Sequence, residues 1–215
     1  MGSSPTPSAS KVSADLTMKL GKTLYVSTRA AWRSWLSKHH ATDKEIWLVY
    51  YRKAAGRPRI AYNDAVEEAL CYGWIDSTVK NLDAARFAQR FSPRRPGSRL
   101  SEMNKERIRR LLVRRKMTAA GLAAVRHVFD PVARQRRGRG ASGARIAPDV
   151  ARALRADAAT WRNFRGFPDS YKRVRIGWIE GARDRRAEFT KRLRYFVRMT
   201  ARNKRFGMVQ QTSRV

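Results

Sequence analysis

Alternation over residues 45–52 puts Ile46, Leu48 and Tyr50 on one face and Trp47, Val49 and Tyr51 on the other, which predicts a strand apolar on both sides and central in a sheet. Ahead of it, Ser27 offers a cap for a helix with Trp32, Trp35 and Leu36 at helical spacing. Behind it, Asn63 offers another, and Val66, Ala69, Leu70, Gly73 and Trp74 follow the i, i+3, i+4, i+7, i+8 pattern of a core-facing helix. Residues 75–80 and 86–92 are short β-leaning runs joined by a hairpin or short crossing at 81–85, and Phe87, Gln89 and Phe91 alternate with Arg86, Ala88 and Arg90. Pro93, Pro96 and Gly97 end that run. Ser101 then starts a helix with Met103, Ile108, Leu111 and Leu112 inward, and Thr118 caps one carrying Leu122 and Val125.

Residues 130–145 hold five arginines among Gly and Ser, with no apolar pattern after Val132, and read as a mobile basic linker. Past it, Pro148 suits a first helical turn, and Ala151, Leu154, Ala158 and Trp161 share one side of a helix ending before Gly166. Tyr171, Val174 and Trp178 continue at helical spacing. Phe189, Leu193, Phe196 and Thr200 form a further arc, with Gly181 as the joint. The organisation expected is a disordered leader at 1–24, an α+β core domain at 25–129, the basic linker at 130–146, a helical domain at 147–207 and a disordered tail at 208–215. The fold class is α+β, a small antiparallel sheet packed by helices and followed by a helical C-terminal section.

Composition changes the picture through charge. Among 215 residues, 48 Lys+Arg against 17 Asp+Glu give a net charge of +31, which draws the chain to polyanions while saying nothing about its fold. Hydrophobic residues at 42% supply a core, yet no continuous apolar run is long enough for a membrane span or a secretory signal. Cys71 is the single cysteine, so no intrachain disulfide forms, and a reducing, cytoplasmic setting is expected.

Candidate chemistry is sparse. His39-His40 with Asp43 lacks a third strong ligand nearby, so no metal site is expected. His127 sits where a helix end suits imidazole. The Cys71 thiol follows Glu67 and Glu68, whose charges oppose thiolate, and reads as structural. Glu67, Glu68 and Asp76 read better as solvated helix charges than as an acid/base pair, and neither a phosphate-binding glycine loop nor a dinucleotide fingerprint occurs. The signal that stands out is residues 86–116, twelve Lys or Arg against Glu102 and Glu106. Phe87 and Phe91 between those arginines suggest a base-stacking sheet, but core packing is the better reading.

Several runs carry a family resemblance: Glu45-Ile46-Trp47-Leu48-Val49, Glu67-Glu68-Ala69-Leu70-Cys71-Tyr72-Gly73-Trp74-Ile75-Asp76, Arg90-Phe91-Ser92-Pro93-Arg94-Arg95 and Asn104-Lys105-Glu106-Arg107. In that order they resemble the YdeI/OmpD-associated, or bacteriocin-protection, family, although Ser77 stands where the family commonly has Gly. Phe167-Pro168, Ser170-Tyr171, Trp178-Ile179-Glu180 and Asn203-Lys204 echo the family's helical tail, so the likeness spans roughly residues 31–207. The resemblance implies a role in envelope stress and in tolerance of bacteriocins or cationic antimicrobial peptides. It transfers no catalytic residue.

The functional expectation is a non-enzymatic tolerance protein of the cytoplasm that binds an anionic partner, nucleic acid first, because Arg outnumbers Lys and guanidinium grips phosphate bidentately. Arg90, Arg94, Arg95, Arg107, Arg110 and Arg114 are the candidate anion-binding residues, and Tyr62, Trp74 and Asp76 the candidate pocket. No catalytic residue, metal or cofactor is assigned. Two other readings remain: an enzyme acting on a small anionic metabolite near Trp74, Asp76 and Arg90, and a peripheral binder of acidic lipid.

Overall fold

The structure, a computed structural model, describes residues 20–129 and 146–207. The leader up to residue 19, the linker at 130–145 and the tail at 208–215 lie outside the described residues.

Strand β1 (Thr23–Tyr25) begins inside the stretch read as leader, and helix α1 (Arg29–His39) crosses from it to β2 (Ile46–Tyr51). Helix α2 (Tyr62–Cys71) leads into the hairpin β3 (Trp74–Asn81) and β4 (Arg86–Pro93). The sheet order is β1-β2-β4-β3. Its β2–β4 and β3–β4 pairings are antiparallel, but β1 runs parallel to β2, so the sheet is mixed. The parallel pair needs a crossover, and α1 supplies it. β2 lies between two strands and is buried from Ile46 to Tyr50, which is why both its faces are apolar.

Two of the expected caps move by a residue or two. Thr28 caps α1 by accepting from the Ala31 amide, in place of Ser27, and α2 begins at Tyr62 with Ala61 at its cap position, in place of Asn63. Asn63 is spent elsewhere: its side-chain oxygen accepts from Arg107. Ser101 caps α3 (Glu102–Val113) as its sequence predicts, and Thr118 accepts from the Gly121 amide at the start of α4 (Ala119–Phe129).

Tryptophans fasten the first core. Trp32, fully buried, donates its indole N–H to the Ala65 carbonyl of α2, packs on Phe91 and stacks on Trp35. Trp74 donates to the His40 carbonyl, fixing α1 against the sheet. Gly73, at φ +76°, makes the turn from α2 into β3 in the left-handed region that favours glycine. Cys71 is buried in this core, and burial first, then the Glu68 charge, pushes its thiol up to about 11.

The expected single helix after Pro148 is two, α5 (Pro148–Arg155) and α6 (Ala158–Gly166), because Asp157 caps α6 by accepting from the Thr160 amide. Helices α7 (Asp169–Glu180) and α8 (Arg186–Ala201) complete this section around Val150, Leu154, Phe164, Tyr171, Ile179 and Phe196. The two halves meet where Arg173 of α7 donates to Glu106 of α3 at 2.7 Å.

Several carboxylates are held below the usual range: Glu45 by hydrogen bonding from Arg90, Asp149 by Arg183 and Asp157 by Thr160. A folded-state value below the unfolded one means stability that is present above about pH 4.5 and lost as pH falls through the folded values. Protonation also adds to a charge already at +31. Unfolding free energy is therefore expected to be flat between about pH 6 and 8 and to fall below about pH 4.5. A denaturation series showing it constant down to about pH 3 would refute this coupling.

Candidate functional site

The six arginines singled out along residues 90–114 are not displayed together. Arg90 lies on the same sheet face as Trp47 and is spent on Glu45, at 2.8 Å from Nε and 2.6 Å from an Nη. Arg94 donates to the Ser98 hydroxyl at 2.9 Å and the Arg99 carbonyl at 3.0 Å. Arg107, 5% exposed, donates to the side-chain oxygens of Asn104 and Asn63, each at 2.7 Å, and Arg110 pairs with Glu67 at 3.3 Å. Arg95 and Arg114 are exposed. Sequence neighbours of one charge have thus been turned to different surroundings, four of them met by internal acceptors.

Of the candidate pocket, the structure brings Tyr62 and Asp76 into direct contact. The Tyr62 hydroxyl, at the first turn of α2, donates to Asp76 Oδ2 on β3 at 2.6 Å. Trp74 shares the sheet face with Asp76, but its indole N–H is engaged with α1. Arg90 is on the opposite face, since Asp76 pairs in register with Phe91, the next residue.

Other residues take the vacated places. Tyr50 of β2 is 2% exposed and its hydroxyl makes no hydrogen bond among the described residues; Arg94 Nε is likewise buried without an acceptor among them. Burial foremost, then the Tyr62 and Asp76 charges, raises the Tyr50 phenol above its ordinary value, and burial followed by the Asp76 hydrogen bond raises Tyr62. Burial lowers both Arg94 and Arg107, with the charge of Asp76 acting on each in the opposite sense. The charge of Asp76 thus bears on Tyr50, Tyr62, Arg94 and Arg107, and of these Tyr62 bonds to it directly. Sequence reasoning placed Tyr50 only as a core-facing position of β2, and the buried hydroxyl on that face was the signal that could have singled it out.

A second feature lies on α8. Lys191, Arg194 and Arg198 of α8 and Arg202 at its C-terminal cap follow at i, i+3, i+7 and i+11, which stacks them along one side of the helix. All four are exposed, and none is in a salt bridge among the described residues. Phe196 and Thr200 point the other way, into the core. The acid of this helix, Glu188, is engaged by Arg192 at 2.8 Å. At about 1.5 Å per residue the four cations span roughly 16 Å of exposed surface. The sequence arc at 189–200 located the buried side of α8, and the ridge is what that arc leaves outside.

Elsewhere, Arg175 of α7 is buried among the rings of Phe206, Tyr171 and Trp178, at 4.7, 5.6 and 5.9 Å. Its Nε is buried without a hydrogen bond among the described residues, and its guanidinium lies against Gly207. No described helix is long and apolar enough to cross a membrane.

Comparison with known families divides the chain. Residues 24–124 match a domain of unknown function, DUF8412, and residues 144–203 match the family described as bacteriocin-protection, YdeI or OmpD-associated. No curated protein and no solved structure matches the chain. The Tyr62–Asp76 group falls within the first match and the α8 ridge within the second. Over residues 144–203, the helical section that bears the cationic ridge, this chain is thus a match to the bacteriocin-protection, YdeI or OmpD-associated family.

Proposed function

We propose that the protein gives tolerance to bacteriocins or cationic antimicrobial peptides without catalysing a reaction, by binding an anionic partner in the cytoplasm, and that this partner is nucleic acid. The observation that carries the reading is the α8 ridge, four exposed cations on one side with no carboxylate paired to them among the described residues. Each phosphate met by such a cation releases a condensed counterion, so affinity follows salt with a slope of about −0.9 per contact. Three of the four are arginines, which take phosphate oxygens two at a time. The family match over the same residues supports the tolerance role.

Titration of the full chain with duplex DNA across a salt series tests this. The expected result is a linear fall of log K with log salt at a slope of about −3 to −4, the value for three or four phosphates. Absence of DNA binding at about 50 mM salt would overturn the proposal, as would binding indifferent to salt. Binding to vesicles of acidic lipid with none to DNA or single-stranded RNA would replace the partner by a membrane surface.

A further inference from the structure

We infer that the sheet face turned away from the helices binds single-stranded nucleic acid, with a base stacked at Tyr25 and Tyr51 and its phosphates met by Lys53, Arg57 and Arg59 of the loop after β2. The inference rests on the nucleic-acid reading for its class of partner, but it adds a second surface that contains no residue of the α8 ridge.

Register defines the face. Tyr25 pairs with Val49, and Val49 with Ala88, so these side chains and Tyr51 point to one side while Ile46, Leu48 and Tyr50 point to the other. The buried residues of α1 to α4 join the core on the Ile46 side. Trp47, Val49 and Ala88 are buried as well, yet they belong to neither core. Among the described residues the helices thus pack on one face only. The sequence offered Phe87 and Phe91 as stacking rings, but Phe91 packs on Trp32 and Phe87 stacks on Tyr50 at 5.1 Å, both on the helix side. The rings that solvent reaches are the tyrosines of the other face. Tyr25 is 41% exposed, and the half-buried Tyr51 meets it edge-on with ring centres 5.1 Å apart. The Tyr25 hydroxyl donates to the Pro58 carbonyl at 2.5 Å, which fixes the ring before a ligand arrives.

Charge names the partner. Residues 46–63 carry Arg52, Lys53, Arg57 and Arg59 and no Asp or Glu. The Arg57 guanidinium lies 5.1 Å from the Tyr51 ring centre, and Arg59 donates to the Tyr51 carbonyl at 3.1 Å. Arg52 donates to the Asn81 side-chain oxygen at 2.8 Å. Both acceptors are neutral and leave the charges uncancelled. Glu45 and Asp83, the acids bordering β2 and β4, are taken by Arg90 and Arg86. A fixed, exposed ring among uncancelled cations suits a polyanion that carries flat rings of its own. Single-stranded nucleic acid is such a polyanion, whereas a duplex keeps its bases stacked on one another inside.

The experiment is fluorescence anisotropy of the full chain with a labelled oligothymidylate of about 12 nucleotides and, separately, with duplex DNA of equal length, across a salt series. Saturable binding of the single strand is expected, with a salt slope of about −0.7 per phosphate met. Tyr25→Leu keeps an apolar side chain beside Val49 but loses the ring, and should weaken single-strand binding about tenfold while leaving duplex binding unchanged. Tyr25→Phe keeps the ring and loses only the Pro58 bond, so it should bind within about twofold of the parent. Arg57→Gln should lower single-strand affinity about fivefold at 0.1 M salt and flatten the slope. The effect of Tyr25→Leu should persist in a chain with Lys191, Arg194, Arg198 and Arg202 all changed to Gln, which separates this face from the ridge. Ridge-dependent duplex binding, with single-strand binding equal in the parent and Tyr25→Leu, would overturn this inference and leave the ridge reading standing. Equal weakening of duplex and single strand by Tyr25→Leu would overturn it too, as would displacement of the oligonucleotide by polyglutamate of the same charge and concentration. Absence of single-strand binding at about 50 mM salt would do the same.

Discussion

Gly121→Ala is expected to unfold the N-terminal half or to detach α4 from it. A Cβ at this position would stand 2.1 Å from the Cys71 carbonyl oxygen, 2.6 Å from its carbon and 3.0 Å from the Leu70 oxygen. These are backbone atoms at the end of α2 and cannot swing aside as a side chain would. The same Cys71 oxygen accepts from the Thr118 amide at 3.1 Å and from its hydroxyl at 2.6 Å, so relief of the clash breaks both bonds that dock α4. Overpacking of this kind costs about 1–3 kcal/mol even where neighbours can shift, and more where they cannot, against a total stability of about 5–15 kcal/mol. Gly97→Ala is the control. Gly97 has a left-handed backbone, φ +71°, that Gly121 lacks, but open space around it, and its replacement should cost about 1–2 kcal/mol. Denaturant unfolding followed by tryptophan fluorescence compares the two. Should Gly121→Ala prove no more costly than Gly97→Ala, α4 does not rest on the Cys71 carbonyl in solution.

Changing Lys191, Arg194, Arg198 and Arg202 together to Gln is expected to weaken duplex DNA binding by about three orders of magnitude at 0.1 M salt. The estimate follows from counterion release. Relative to 1 M salt, each phosphate contact contributes roughly 0.9 of a log unit at 0.1 M, and four contributions approach four log units. The salt slope should flatten by about three or more units at the same time. Stability should barely change, because the four side chains are exposed, in no salt bridge among the described residues, and Gln is a good helix former. Arg95 and Arg114, exposed at other places, serve as the comparison: their replacement by Gln should cost far less. If the pair matters as much as the four, attraction is set by total charge and the ridge has no special part.

Local order along the chain was legible where a single element buries one side. The double-faced β2, the hairpin strands, the Ser101 cap and the core residues of α7 and α8 all rest on periodicity that holds whatever else the fold does. Cap positions slipped where two residues compete, as Thr28 does with Ser27, since propensity near a helix start is nearly level among Ser, Thr, Asp and Asn. Strand β1 escaped notice because three residues, only Leu24 of which packs on the core, carry almost no pattern. Its parallel pairing depends on a partner more than twenty residues away.

The site divides in the same way. Tyr62, Trp74 and Asp76 were legible as polar and aromatic residues of one block, and of these the structure puts Tyr62 and Asp76 in contact at 2.6 Å. The arginines were read as a group because they are neighbours in sequence, yet whether a guanidinium is spent depends on the acceptor it meets. Glu45 for Arg90, Glu67 for Arg110 and Asn63 for Arg107 come from elements that only folding brings alongside.

By itself, the sequence determined that this protein has an α+β half and a helical half, where the core positions of most elements fall, and that an excess of +31 must be presented to solvent or to a partner. Hydrophobic periodicity and net charge are sums over local composition, and no contact between distant residues alters them. Tertiary structure alone decided which cations remain unpaired among the described residues, that the side of α8 bearing four cations faces solvent, and that the Tyr50 hydroxyl is buried without a hydrogen bond among the described residues. Pairing and burial are properties of distance, and distance between residues far apart in the chain is fixed only when the sheet and helices close on one another.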